Sequence, residues 1–132
     1  MPRSGESETS RMPELQPQRV CFTLRIRPDK LDEYLRRHTP VRAEMLEEIA
    51  RSGRRNYSLF LAGDGLLVGY YETDDDEAAR NYLAASEVAT AWEADMAEFF
   101  DHVDGRADQT PPLTEIFNLG DQLQATRTQT GI

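Results

Sequence analysis

The sequence predicts an α+β fold of the ferredoxin-like kind, β-α-β-β-α-β, with an antiparallel sheet and helices on one face. Three observations carry that reading. Residues 20–26 alternate apolar and polar side chains with period two. The turn-rich stretch Ala62-Gly63-Asp64-Gly65 joins two strand-like runs into a hairpin. Stretches with apolar residues at helical spacing precede and follow that hairpin, and a last strand-like run closes the chain.

The elements follow in order. Val20, Phe22, Leu24 and Ile26 form the apolar side of the first strand. Pro28 and Asp29 open a helix in which Leu31, Tyr34, Leu35 and His38 fall at i, i+3, i+4 and i+7, on one face. Pro40 breaks it, because a proline removes a helical hydrogen bond and drives the preceding residue out of the helical region. Thr39 is therefore expected to cap a second helix over 40–52, with Pro40 in its first position, Val41, Met45 and Ile49 on its apolar side and Gly53 as its stop. Residues 56–61 and 66–72 make the hairpin. The acidic run Asp74-Asp75-Asp76-Glu77 suits a helix N-terminus over 75–85. A further helix begins near Ser86, with Val88, Trp92, Met96 and Phe99 as its stripe. Residues 113–119, after Pro111-Pro112, are the expected last strand. A sheet covered on one face leaves the other open, and a homodimer is a natural way to cover it.

Composition narrows the function. The 132 residues fit one domain. A net charge of −9 disfavours nucleic acid and anionic membrane surfaces as partners. No apolar run reaches the length of a membrane span, and the N-terminus lacks a secretory h-region. Cys21 is the only cysteine, which precludes an intrachain disulfide and suits a cytoplasmic location. His38 and His102 have no partners at metal-ligand spacing, so no metal is expected. Residues 1–18 read as a disordered leader and 120–132 as a flexible C-terminal tail, leaving 19–119 as the folded domain.

His38 leads the candidates for chemistry. Its i, i+4 relation to Tyr34 lets both side chains meet one ligand, and a histidine at a helix end can serve as a general acid. The same spacing also fits a histidine that only packs or caps. Tyr57, alternating with Leu59 and Leu61, is either a packed strand tyrosine or a hydroxyl aimed at a polar ligand. Trp92 is either core or a platform for the apolar face of a sugar ring. Glu93 is either a solvated charge or a ligand contact at the cleft. Arg36, Arg37, Arg54 and Arg55 form two pairs expected at the surface, although one of them could anchor an acid or pair with a partner subunit.

Tyr34-x-x-x-His38-x-Pro40, then Gly53 followed by Asn56-Tyr57-Ser58-Leu59-Phe60-Leu61, then Trp92 within residues 86–96, together resemble the L-rhamnose mutarotase family. The resemblance covers most of 19–119. It implies a dimeric α/β-barrel, a cytoplasmic homodimer, and interconversion of the α and β anomers of L-rhamnose or a related 6-deoxy sugar without cofactor. It implies that His38 is the proton donor and that Tyr34, Tyr57, Trp92 and the position of Glu93 bind the sugar. The chain departs from the family at two positions that commonly hold tryptophan, where it has Glu93 and Arg42; both departures bear on which sugar is taken. Two other readings remain open from sequence: a cofactor-free monooxygenase on the same plan, and a non-catalytic sugar-binding regulatory module.

Overall fold

The computed structural model describes residues 17–101 and 112–129. In it the chain forms β1 (Gln18–Arg25), α1 (Leu31–Arg37), α2 (Ala43–Ser52), β2 (Arg55–Ala62), β3 (Leu66–Thr73), α3 (Asp76–Ala85), α4 (Glu87–Met96) and α5 (Leu119–Gln129). Short 3-10 turns occupy Pro28–Lys30 and Ala97–Phe99. The strands form one antiparallel sheet in the order β1-β3-β2.

Register decides which side chains face the helices. Phe22 lies opposite Gly69 and Leu24 opposite Leu67. On the other edge Leu59 lies opposite Gly69 and Leu61 opposite Leu67. Period two then puts Val20, Phe22, Leu24, Leu59, Leu67 and Tyr71 on one face. The central strand shows the cleanest alternation, with Leu67, Gly69, Tyr71 and Thr73 buried between half-buried neighbours. Gly69 is required by close approach: a Cβ there would sit 2.2 Å from the Phe22 ring.

All the helices packed on the sheet lie on that face, around two apolar clusters. Ile26, Tyr34, Leu67, Met96 and Phe99 form one, and Met45, Leu83 and Ala89 the other, with Trp92 packed against both. The α3 and α4 starts follow their sequence signals. Asp75 accepts from the Ala78 N–H and Ser86 from the Ala89 N–H. The Ser86 hydroxyl also donates to Glu48, which takes a second hydrogen bond from Tyr82 at 2.9 Å, tying α2 to the α3–α4 corner.

Three sequence expectations are corrected. The helix expected over 40–52 starts only at Ala43, and Thr39 does not cap it. The Thr39 hydroxyl instead donates to the Leu35 carbonyl at 2.9 Å, beside the His38 N–H that the same oxygen accepts at 3.1 Å, and the Thr39–Pro40 peptide is cis. Residues 113–119 do not form a strand, so the sheet has three strands among the described residues. Only the Leu113 N–H reaches β1, at the Cys21 carbonyl, 2.7 Å away; beyond it the Arg19 guanidinium takes the Glu115 carboxylate and the backbone makes no ladder. Part of the polar stretch at the end of the chain is helical: α5 forms over Leu119–Gln129. Asn118 caps it through the Asp121 N–H at 2.9 Å, and Arg19 holds Asp121 at 2.6 Å. The leader expected over 1–18 lies outside the described residues as far as residue 16, while Gln18 begins β1.

Candidate active site

The site is built on the end of α1. His38 is the first residue past that helix, and the i, i+4 spacing stacks its imidazole on the buried Tyr34 ring, with centroids 4.1 Å apart and planes at 29°. His38 Nδ1 lies 2.9 Å from the Tyr34 carbonyl oxygen. A carbonyl only accepts, so Nδ1 carries a hydrogen and donates it. That fixes the tautomer and leaves Nε2 as the atom that gains or loses a proton. Trp92, from α4, closes on the imidazole edge-on, with centroids 5.5 Å apart at 74°. The ring is thereby held between a stacked phenol and an indole.

The other wall comes from the sheet. Tyr57 stands on β2, edge-on to Phe22 at 6.4 Å and tilted against Tyr71 at 5.2 Å. Between the sheet and the helices lies a cavity of about 1000 Å³. Tyr34, His38, Tyr57, Trp92 and Glu93 all line it, so the residues singled out from sequence share one cavity. Arg42 does not line it; that side chain pairs with Glu44 at 2.8 Å on the surface. Of the two charged departures from the family pattern, only Glu93 reaches the cavity. His102 lies outside the described residues.

Electrostatics assigns the hydroxyls a role. Burial pushes the Tyr34 phenol well above its ordinary value, with a further upward push from Tyr57. Burial also raises Tyr57; Arg54 pulls it back down, and the Glu93 charge pushes it up. Both phenols stay protonated near neutral pH, where they act as hydrogen-bonding groups rather than as bases. The walls therefore offer one imidazole nitrogen, two neutral hydroxyls, a carboxylate and an indole face. That inventory suits proton transfer to and from a polar, hydroxylated ligand of modest size.

Sequence reasoning misplaced Arg54. It is half-buried and lines the cavity, with its guanidinium 4.3 Å from the centre of the Tyr71 ring. Its neighbour Arg55 is exposed and makes an ion pair with Asp74 at 3.0 Å. The signal available in the sequence was the bracket of Gly53 and Asn56, which both take positive φ, at 100° and 51°. With the register shift between Arg55 and Ser58, they turn the entry to β2 away from simple alternation.

Among the described residues no group of three or more His, Cys, Asp or Glu is placed to hold a metal ion. Among them, too, no helix is long and apolar enough to cross a membrane.

Comparison with known proteins decides the family. The family model described as L-rhamnose mutarotase matches residues 19–119. The chain belongs to the L-rhamnose mutarotase family. Curated relatives agree. The L-rhamnose mutarotase of Oceanobacillus iheyensis is 31% identical over 102 residues, covering 76% of this chain and 97% of that protein. That of Bacillus subtilis is 33% identical over 95 residues, covering 71% of this chain and 90% of that one. Among solved structures, the L-rhamnose mutarotase of Formosa agariphila superposes with a TM-score of 0.63 at 22% identity, covering 77% of this chain and 98% of that chain. A tetracenomycin F2 cyclase from Streptomyces glaucescens has the same fold at a TM-score of 0.50 and 21% identity. Helix α5 extends past the last residue matched by the family model.

Proposed function

We propose that this member of the L-rhamnose mutarotase family interconverts the α and β anomers of L-rhamnose or a related 6-deoxy sugar, with His38 as the proton donor. The observation that carries this reading is the His38 imidazole itself: Nδ1 is tied to the Tyr34 carbonyl, and the ring lines a cavity shared with Tyr34, Tyr57, Trp92 and Glu93.

The chemistry needs no more than this inventory. Protonated Nε2 gives its hydrogen to the ring oxygen as the bond from that oxygen to the anomeric carbon breaks. The anomeric hydroxyl gives its proton to the Glu93 carboxylate, directly or through water, and its electron pair forms the aldehyde carbonyl. Rotation about the first carbon–carbon bond presents the other carbonyl face. The freed hydroxyl then adds to that face and returns its proton to Nε2, while Glu93 returns its proton, directly or through water, to the carbonyl oxygen, which becomes the new anomeric hydroxyl. Tyr34 and Tyr57, kept neutral by burial, hold sugar hydroxyls, and Trp92 presents an apolar face to the ring carbons. One positioned acid–base group contributes roughly 10²–10⁴-fold, which is useful help for a reaction that already proceeds in water.

The unit that does this is the domain at 19–119, acting in the cytoplasm as a homodimer. Phe60, 61% exposed on the sheet face away from the helices, supports a partner there. Sedimentation at micromolar concentration should give twice 15.0 kDa; the mass of a single chain would refute the dimer. The reaction is tested by saturation-transfer NMR between the anomeric protons of L-rhamnose. Acceleration in proportion to protein concentration is expected. No acceleration on rhamnose or on other 6-deoxy sugars would refute the mutarotase reading.

A further inference from the structure

The half-buried Arg54 lines the cavity, and one of its guanidinium nitrogens lacks a partner among the described residues. Its Nε is fully buried and has no hydrogen-bond partner. A buried donor without an acceptor is costly, more so when it is charged, so its persistence calls for an explanation. The other two arginines lining the cavity are paired: Arg80 with Asp76 at 2.9 Å and Arg55 with Asp74 at 3.0 Å. Among the described residues Arg54 makes no ion pair. Its side chain rests on the Tyr71 ring instead, at 4.3 Å. Tyr71 is itself fixed, because its hydroxyl donates to Asp76 at 2.6 Å. The guanidinium is therefore held on a rigid platform, within electrostatic reach of the Tyr57 hydroxyl, on the wall of the same cavity as His38.

We propose that Arg54 is a specificity-determining residue that donates hydrogen bonds to an oxygen of the bound sugar, so that the cavity selects ligands carrying an acceptor at that place. The inference rests on the mutarotase reading for the identity of the ligand as a sugar. The acceptor is either a ring hydroxyl or a carboxylate of a hexuronic acid; a guanidinium fork serves both and binds the carboxylate with two parallel bonds. Arg54 takes no part in the proton transfers. Its loss should weaken binding and leave turnover of the bound sugar nearly intact.

The test uses the full chain and two ligands, L-rhamnose and D-glucuronate. Binding is read from the fluorescence of Trp92, the only tryptophan in the chain, and turnover from anomeric exchange by NMR. Arg54→Met keeps the aliphatic stem and removes the donors; Arg54→Lys keeps a cationic donor on the same side. For at least one ligand, Arg54→Met should weaken binding about tenfold or more, with kcat within a few-fold of wild type. Arg54→Lys should recover part of the loss. A loss confined to L-rhamnose assigns a hydroxyl, and a loss confined to glucuronate assigns the carboxylate. Unchanged binding of both ligands by folded Arg54→Met overturns the inference while leaving the mutarotase reading in place, and so does a fall in kcat without a change in binding. A wild-type protein that binds neither ligand overturns it as well. Binding without any acceleration of exchange sinks the mutarotase reading alone.

Discussion

Replacing His38 by asparagine and by alanine separates what the imidazole does for the fold from what it does for the reaction. Alanine removes three things at once: the Nδ1–H bond to the Tyr34 carbonyl, the stack on the Tyr34 ring, and Nε2. The hydrogen bond is worth about 1 kcal/mol and the ring pair about 0.5–1.5 kcal/mol, so His38→Ala should lose about 2 kcal/mol of stability. At about 4–8 °C per kcal/mol for a domain of this size, the melting temperature falls by roughly 10 °C. Asparagine places an amide N–H at the same bond separation from Cβ as Nδ1, so it can still donate to the Tyr34 carbonyl. It should lose about half as much stability. Neither variant has an atom in place of Nε2. Both should therefore lose the roughly 10²–10⁴-fold that a positioned acid contributes, about 3–5 kcal/mol of barrier. The assay is anomeric exchange by saturation-transfer NMR beside a thermal melt of each protein. The reasoning is refuted if folded His38→Asn exchanges anomers at the wild-type rate, or if exchange tracks stability across the two variants instead of falling equally in both.

Other expectations follow from the same geometry. Ser86→Ala removes the cap on α4 and one of the donors to Glu48, and should cost about 1–2 kcal/mol in a urea titration while leaving exchange at 25 °C intact; a wild-type midpoint would contradict the capping role. Gly69→Ala drives a methyl into the Phe22 ring, 2.2 Å from the new Cβ, and should cost about 1–3 kcal/mol; Phe22 backs Tyr57, so ligand binding should weaken with it. Trp92→Leu should raise KM for the sugar more than it lowers kcat, and equal kcat/KM values would show that the indole does not face the ligand. Burial, with a hydrogen bond to Asp76, pushes Tyr71 up to about 12, against an ordinary 10. Below pH 10 both states keep the phenol proton and the contribution is complete. Above pH 10 the unfolded chain ionises first, so stability falls between about pH 10 and 12, by of order 2 kcal/mol from this group. Urea midpoints across that window should fall less steeply for Tyr71→Phe than for wild type.

The fold was legible wherever local chemistry and burial pointed the same way. The hairpin, the helix starts near Asp75 and Ser86 and the apolar stripes each combine a periodicity with a residue suited to a turn or a helix end, and the structure keeps them. The errors arose where a residue had two possible partners. Thr39 can cap the helix after it or bond back to the helix before it, and the Leu35 carbonyl won. The strand expected at 113–119 needed a backbone ladder on the edge of β1. Side-chain pairing of Arg19 with Glu115 and Asp121 held that segment instead, 96 and 102 residues away in sequence. Long-range ion pairs leave no periodic trace, and the same pairing anchors a helix in a segment that reads as loose.

The candidate site divides along the same line. Tyr34 and His38 could be paired from sequence because one helical turn sets their distance, whatever the rest of the chain does. That Tyr57, Trp92 and Glu93 meet them depends on the sheet register and the helix packing, and it was reached from sequence only through the family resemblance. Arg54 lay beyond both routes. Two adjacent arginines at the mouth of a strand look alike, and ordinary alternation says only that they point to opposite sides. Which one turns inward is set by the positive φ of Gly53 and Asn56 and by the bulge that follows them. An arginine is too long and too strongly hydrated to be placed in a cavity by hydrophobic patterning, so its presence there is a choice the backbone imposes. The backbone thus puts a guanidinium that makes no ion pair among the described residues beside a tyrosine that already faces the ligand cavity. A sugar oxygen is the one acceptor the proposed chemistry would bring to it.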